Sequence, residues 1–173
     1  DYFYQNSITA MNLIHAAKEA NIAGSFIQIG STCCYANKLV DKFTEEMLLD
    51  GLPEPTNSFY AYAKRNQFIM LDSYHKQYGF KYSYLIAGNL YGPHDNFSPQ
   101  QSHVIPALFN KFLDAKKNNN KSITLFGTGK PIRDFLYIED LVNVIQQLIF
   151  HDLNSALNIS SGKGTSILDI ALM

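Results

Sequence analysis

The chain has 173 residues, 46% of them hydrophobic, which is enough apolar material for one sizeable core and too much for a disordered segment. Its 14 basic and 15 acidic residues leave a formal net charge of -1, so there is no basic field to draw it to nucleic acid or an anionic membrane, and a small soluble ligand is the better partner. No apolar run approaches the roughly 20 residues of a membrane helix, and Asp1 to Gln5 has neither a basic start nor an apolar signal core, so a cytoplasmic protein is expected.

Ile8, Met11, Ile14 and Ala17 recur at helical spacing and predict an amphipathic helix over residues 4–20, with Gly24 as a stop. Ser25 to Ile29 alternates apolar and polar residues up to Gly30, which predicts a strand opening into a loop with Ser31, Thr32, Cys33 and Cys34. The two cysteines are adjacent, a poor geometry for a structural disulfide, and reduced thiols fit the cytosol. Thr44 before Glu45 and Glu46 predicts a short capped helix ended by Gly51. Pro53 and Pro55 force extended backbone before Ser58, which caps a long helix to Tyr78, with Gly79 at its C-terminal end.

A strand is expected at Tyr82 to Ala87, then a loop from Asn89 to Gln101 holding Gly92, Pro93 and Pro99. Ser102 is expected to cap a helix across His103 to Lys116, with Pro106 in its tolerant first turn. After a polar connection from Lys116 to Lys121, strands are expected at Ile123 to Phe126 and Ile132 to Ile138, separated by a turn with Gly127, Gly129 and Pro131. Asp140 should cap a helix through Phe150, a short strand follows at Ala156 to Ile159, and a last helix starts at Ser166. Helices alternating with short strands imply an α/β fold with a doubly wound parallel sheet and crossover helices.

Tyr60 and Lys64 lie four apart on the long helix and therefore share one face. An ammonium there would favour the ionised phenol and lower its pKa, making a usable proton donor near neutral pH. In a chain with 11 tyrosines this spacing by itself is weak evidence, but Ser31, immediately after a strand and its glycine, can hydrogen-bond the same substrate oxygen. A strand-end serine upstream of Tyr-x-x-x-Lys is the arrangement of short-chain dehydrogenases.

The long motifs are more specific. Gly30-Ser31-Thr32-Cys33-Cys34-Tyr35 and Glu54-Pro55-Thr56-Asn57-Ser58-Phe59-Tyr60-Ala61-Tyr62-Ala63-Lys64 resemble the extended short-chain dehydrogenases, and within them the GDP-L-fucose synthases. Asn89-Leu90-Tyr91-Gly92-Pro93-His94-Asp95-Asn96-Phe97, Ser102-His103-Val104-Ile105-Pro106-Ala107-Leu108 and Phe126-Gly127-Thr128-Gly129-Lys130-Pro131-Ile132-Arg133-Asp134-Phe135 resemble that family's motifs in the same order. The resemblance implies two stages on GDP-4-keto-6-deoxy-D-mannose: epimerisation at C3 and C5, then NADPH reduction of the C4 ketone. It also implies Ser31, Tyr60 and Lys64 at the ketone, Cys33 as base and His103 as acid. Ile29, Gly30, Ser31, Thr32, Lys64, Gly88, Asn89, Leu90 and His103 would line the NADP site. Arg133, Lys111 and Phe126 would meet the GDP moiety, although the family commonly has arginine and tryptophan in place of Lys111 and Phe126. No metal ligand set is expected, Cys34 is expected to be packing, and the family implies a homodimer through the Tyr60 helix and the long helix before it.

Residues 1–90 are thus expected to form the C-terminal part of the NADP-binding domain, and residues 91–173 mainly a substrate domain interleaved with the sheet. The glycine-rich strand-turn-helix that cradles a dinucleotide pyrophosphate is not among these residues, and Gly127-Thr128-Gly129 does not replace it because Pro131 and a strand follow. The chain reads as an internal portion, with that turn expected upstream of Asp1 and the rest of the substrate domain beyond Met173. By itself the chain is accordingly expected to bind NADP weakly or not at all. Calorimetry checks this, and micromolar NADPH binding would contradict it.

Overall fold

The computed structural model describes residues 2–173, which divide into two compact units. The first holds the chain up to Ala87 together with Leu141–Ile159, and the second holds Gly88–Asp140 with Ser160–Met173.

In the first unit, α1 (Tyr2–Glu19) leads to β1 (Phe26–Ile29), and α2 (Ser58–Tyr78) leads to β2 (Tyr82–Ala87). β5 (Ser155–Ile159) completes a parallel sheet in the order β1-β2-β5, with Ile29 opposite Leu85 and Ala87 opposite Ile159. The central strand β2 is buried along its whole length, which is why it reads as a nearly unbroken apolar run. Tyr82, Tyr84 and Ile86 of β2 pack in one cluster with Ile14 of α1, Leu71 of α2 and the loop residues Cys34, Tyr35 and Leu48. Of the apolar stripe expected on α1, Ile14 is fully buried, whereas Ile8 and Met11 remain 37% and 36% exposed. The face of α1 that meets α2 therefore runs through Ser7 and Ile14, and Asn6 gives its carbonyl to the buried Gln67 side chain at 2.7 Å. Periodicity sees only that a stripe exists and cannot tell which flank a neighbour covers.

The second unit contains β3 (Asn89–Tyr91), α3 (Val104–Lys117), β4 (Ile132–Tyr137), β6 (Gly164–Ser166) and α5 (Ile167–Leu172). β3 pairs with β4 in parallel and β4 with β6 antiparallel. α4 (Ile138–Leu148) follows β4 without a break, and its residues from Leu141 onward belong to the first unit. The Asp134 carboxylate ties down the loop before β6, accepting from Ser161 N at 2.8 Å, Ser161 Oγ at 2.9 Å and Gly162 N at 2.9 Å.

Several local expectations change. Asn89 to Tyr91 is a strand, not loop, because its backbone finds β4 as a partner. Ile123 to Phe126 is not a strand, and β6 takes the edge of β4 from Ile132 to Asp134. The residue capping α2 is Asn57, while Ser58 Oγ donates back to Pro55 O at 3.1 Å, and His103 stands at the cap position expected for Ser102. Thr44 gives no side-chain cap to the Glu45–Met47 turn, and α4 starts before Asp140. Gly79 does close α2 in the left-handed conformation (φ 68°), and Ser166 caps α5 by accepting from Asp169 N at 3.0 Å. No helix among the described residues is long and apolar enough to cross a membrane.

Packing is close under Gly30, where an added Cβ would stand 2.5 Å from the Tyr84 ring. Gly30→Ala is expected to cost about 1–3 kcal/mol through overpacking of a filled core. Chemical denaturation of Gly30→Ala, Tyr84→Leu and the double variant checks this: the double should be less destabilised than the sum of the singles.

Candidate functional site

β1 ends at Ile29, Gly30 N donates to Leu85 O at 2.7 Å, and the chain then leaves the carboxyl end of the sheet, where ligands of open α/β sheets sit. Ser31 to Tyr35 form a tight turn: Cys34 N donates to Ser31 O at 3.0 Å, Tyr35 N to Thr32 O at 3.1 Å and Cys33 N to Ser31 Oγ at 3.2 Å. The turn leaves its two thiols in different surroundings. Cys34 is fully buried, its sulfur 3.7 Å from the Tyr84 hydroxyl, and burial pushes its thiol pKa up. Cys33 is exposed, and Asn57 Nδ2 donates to its sulfur at 3.2 Å.

Across from this turn stands α2 with Tyr60 and Lys64. The Tyr60 phenol lies close enough to Ser31 for that hydroxyl to act on its pKa, and the Lys64 ammonium donates to Ile29 O at 2.9 Å while lying 5.8 Å from the centre of the Tyr60 ring. The structure therefore brings Ser31, Cys33, Tyr60 and Lys64 together, from two segments joined by a long connection.

The electrostatics differ from the expectation that Lys64 lowers the Tyr60 pKa. Burial pushes the phenol up, the neighbouring Cys33 and Cys34 sulfurs push the same way, and the Ser31 hydroxyl only partly opposes them. Burial also pulls the Lys64 ammonium down. Both groups are half-buried, so desolvation outweighs a cation that is held on a carbonyl rather than on the phenol oxygen. A phenol held neutral is a proton donor, and Lys64 has given one of its three N–H groups to Ile29.

In the second unit, Asn89 Nδ2 donates to Asp134 O at 2.9 Å, next to half-buried Gly88 and Leu90. His103 is exposed at the start of α3 and makes no capping bond with its side chain. Lys111 and Phe126 meet: the ammonium lies 3.9 Å from the ring centre and donates to Thr124 O at 2.8 Å, while the ring is 88% exposed. Arg133 is exposed on β4 and gives one N–H to Ile132 O at 2.8 Å. The Lys111–Phe126 pair and the Arg133 fork present cationic and aromatic surface of the kind that suits a nucleoside diphosphate.

Three neighbours of the site escaped the sequence reading. Asn57 touches the Cys33 sulfur; Tyr84 packs under Gly30 and donates to Lys64 O at 2.9 Å; Arg65 is buried and donates to Cys34 O at 2.7 Å. Of these only Arg65 left a signal, as a charge four residues after Ala61 on the buried face of α2.

The sequence pattern described as the NAD dependent epimerase/dehydratase family matches residues 1–160. The chain is similar to the GDP-L-fucose synthase of Escherichia coli (strain K12), 42% identical over 141 residues that cover 82% of this chain and 44% of that protein. It is also similar to the GDP-L-fucose synthase of Sinorhizobium fredii, 37% identical over 99% of this chain and 54% of that one, so it spans about half the length of these curated relatives. Among solved structures, a GDP-L-fucose synthetase from Naegleria fowleri bound to NADP superposes with a TM-score of 0.89 at 29% identity, over 96% of this chain and 54% of that one. A GDP-D-glycero-L-gluco-heptose synthase from Campylobacter jejuni, in the presence of NADPH, superposes with 0.85 at 28% identity, over 99% and 62%.

The raised phenol has a measurable consequence. Between the ordinary tyrosine value near 10 and the higher folded value, the folded state holds a proton that the unfolded state has lost, so stability falls as pH rises through that window. The depressed Lys64 acts with the opposite sign, adding stability as pH rises from its folded value to its ordinary one. Denaturation between pH 9 and 12 should therefore show Tyr60→Phe losing less stability with rising pH than the parent, and Lys64→Met gaining less or losing more.

Proposed function

The chain belongs to the NAD dependent epimerase/dehydratase family, and from that premise we propose that the protein carries out NADPH-dependent 3,5-epimerisation and 4-reduction of GDP-4-keto-6-deoxy-D-mannose to GDP-L-fucose. The observation that carries this reading is the Cys33 thiol on the same turn as Ser31, facing the helix of Tyr60 and Lys64. A simple reductase needs the last three; a sulfur beside them suits removal of a proton from carbon next to the ketone.

The donor set fits the reacting end of a nicotinamide cofactor: a hydroxyl, a neutral phenol and an ammonium gathered at the carboxyl end of β1. NADPH, when bound, supplies the hydride for C4. Lys64 and the backbone from Ile29 to Thr32, with Gly88, Asn89, Leu90 and His103, are the residues proposed to hold it. In the reaction Ser31 and Tyr60 donate hydrogen bonds to the C4 oxygen, which stabilises the enolate formed when C3 or C5 loses a proton. Cys33, as a thiolate, takes that proton, and His103, as an imidazolium, returns one from the other face. Tyr60 then gives its own proton to the C4 oxygen as the ketone becomes a hydroxyl; the burial that holds the phenol neutral suits this role. Arg133, Lys111 and Phe126 are assigned to the GDP moiety on the chemistry of their side chains.

A homodimer in the cytoplasm belongs to the same proposal, supported by Ile8 and Met11 of α1 and Phe59 and Ile69 of α2, which leave apolar surface exposed. A second reading, reduction of a GDP-4-keto-heptose without epimerisation, is favoured by the likeness to heptose-processing structures of Campylobacter jejuni, one described as a GDP-mannoheptose C4 reductase with NADP bound.

Cys33 and His103 separate the two readings. In deuterated water with NADPH, the parent protein is expected to incorporate label at C3 and C5, and Cys33→Ser and His103→Asn to slow it by a factor on the order of 10² or more while reduction persists. Tyr60→Phe should lose most of its reduction and keep GDP-sugar binding. NMR of the product checks label and stereochemistry; equal labelling in all variants would return Cys33 and His103 to structural roles.

A further inference from the structure

Arg65 is 6% exposed, and it meets backbone rather than carboxylate. Its Nε donates to Cys34 O at 2.7 Å, Nη1 to Gly51 O at 2.9 Å and Nη2 to Asp50 O at 2.8 Å, while the Tyr62 ring lies 6.0 Å from the guanidinium carbon. A buried charge is costly unless its donors are satisfied, and here a rigid planar fork matches carbonyls from two segments that the sequence keeps well apart. A hydrocarbon side chain would fill the same space on α2 without that desolvation, so the guanidinium contributes geometry.

The geometry concerns the turn with Ser31 and Cys33. Its internal hydrogen bonds make it stiff, but they do not tie it to α2. That link comes from two successive residues of the helix. Lys64 holds Ile29 O, just before the turn, and Arg65 holds Cys34 O, at its end. The same guanidinium draws in the far end of the connection at Asp50 and Gly51, where Asn37 N also donates to Leu52 O at 2.9 Å. The other ties from the helix side are a long contact of the Cys34 sulfur with Ala61 O at 3.9 Å and the Asn57 bond to Cys33.

We infer that Arg65 is a positioning residue for the reaction: by gripping Cys34 O while Lys64 grips Ile29 O, it sets the Ser31 hydroxyl and the Cys33 sulfur against Tyr60 on the same helix. The inference rests on the proposed reaction, in which those three groups must reach neighbouring atoms of one sugar. Lysine is not an adequate substitute, since one ammonium on a flexible stem cannot span Cys34, Asp50 and Gly51 in a plane. A misplacement of about 1 Å at a reacting group costs on the order of 10²-fold in rate.

The test compares the intact protein with Arg65→Lys and Arg65→Met, using NADPH and GDP-4-keto-6-deoxy-D-mannose, and includes a readout that needs no turnover. In Arg65→Lys, kcat for deuterium exchange at C3 and C5 should fall tenfold or more with KM within about twofold of the parent and the thermal transition nearly kept. Iodoacetamide labelling, located by mass spectrometry on the same samples, should mark Cys33 and spare Cys34 in the parent and reach both in Arg65→Met. Exchange at the parental kcat in Arg65→Lys, or a fall that only follows the loss of folded protein, overturns the inference. So does continued protection of Cys34 in Arg65→Met. A parent protein that shows no exchange contradicts the proposed reaction instead, and the labelling pattern then decides separately whether Arg65 holds the turn.

Discussion

The Tyr84 ring occupies the space that any side chain at position 30 would need, and its hydroxyl donates to the backbone of α2 at Lys64. One buried residue of the central strand thus touches both segments that meet at the candidate site. The strand end can lie this close to the Tyr84 ring only because residue 30 has no Cβ. Cys34, tucked against the same hydroxyl, anchors the turn from below while leaving Cys33 outside. This packing supports the turn from beneath, while Lys64 and Arg65 hold its two ends to α2, and it resists change as any close-packed interior does.

Burial has a second effect, on charge. It raises the Tyr60 phenol and depresses the Lys64 ammonium, so both groups are held nearer to their neutral forms than in water. Arg65, deeper still, has its guanidinium donors met by three backbone carbonyls. The two adjacent cations of α2 therefore play different parts: Lys64 is poised at the edge of the cluster, and Arg65 is fixed behind it. Interchanging them would leave the net charge unaltered and undo both arrangements.

Family membership and these contacts meet at the same residues. The turn, the α2 face and the start of α3 all lie within the stretch of residues 1–160 that matches the NAD dependent epimerase/dehydratase family. A fold of this kind hosts several sugar-nucleotide chemistries, so the assignment depends on Cys33 and His103 rather than on the sheet.

Sequence by itself determined the α/β class, α1, α2 and the three parallel strands, because long periodic or fully apolar segments bounded by glycine carry strong local signals. It also determined that Tyr60 and Lys64 share a helix face and that Ser31 follows a strand, since both are matters of spacing along one element. Only the tertiary structure decided the pairing of β3 and β6 with β4, whose short segments become strands only through their partners, and the failure of Ile123 to Phe126 to do so. It alone decided that Lys64 turns to Ile29 instead of lowering the Tyr60 pKa, that Asn57 and Tyr84 belong beside the cysteines, and that Arg65 is buried among carbonyls. Each of those depends on the distance between atoms that only the folded chain brings together. No spacing along the sequence encodes that distance.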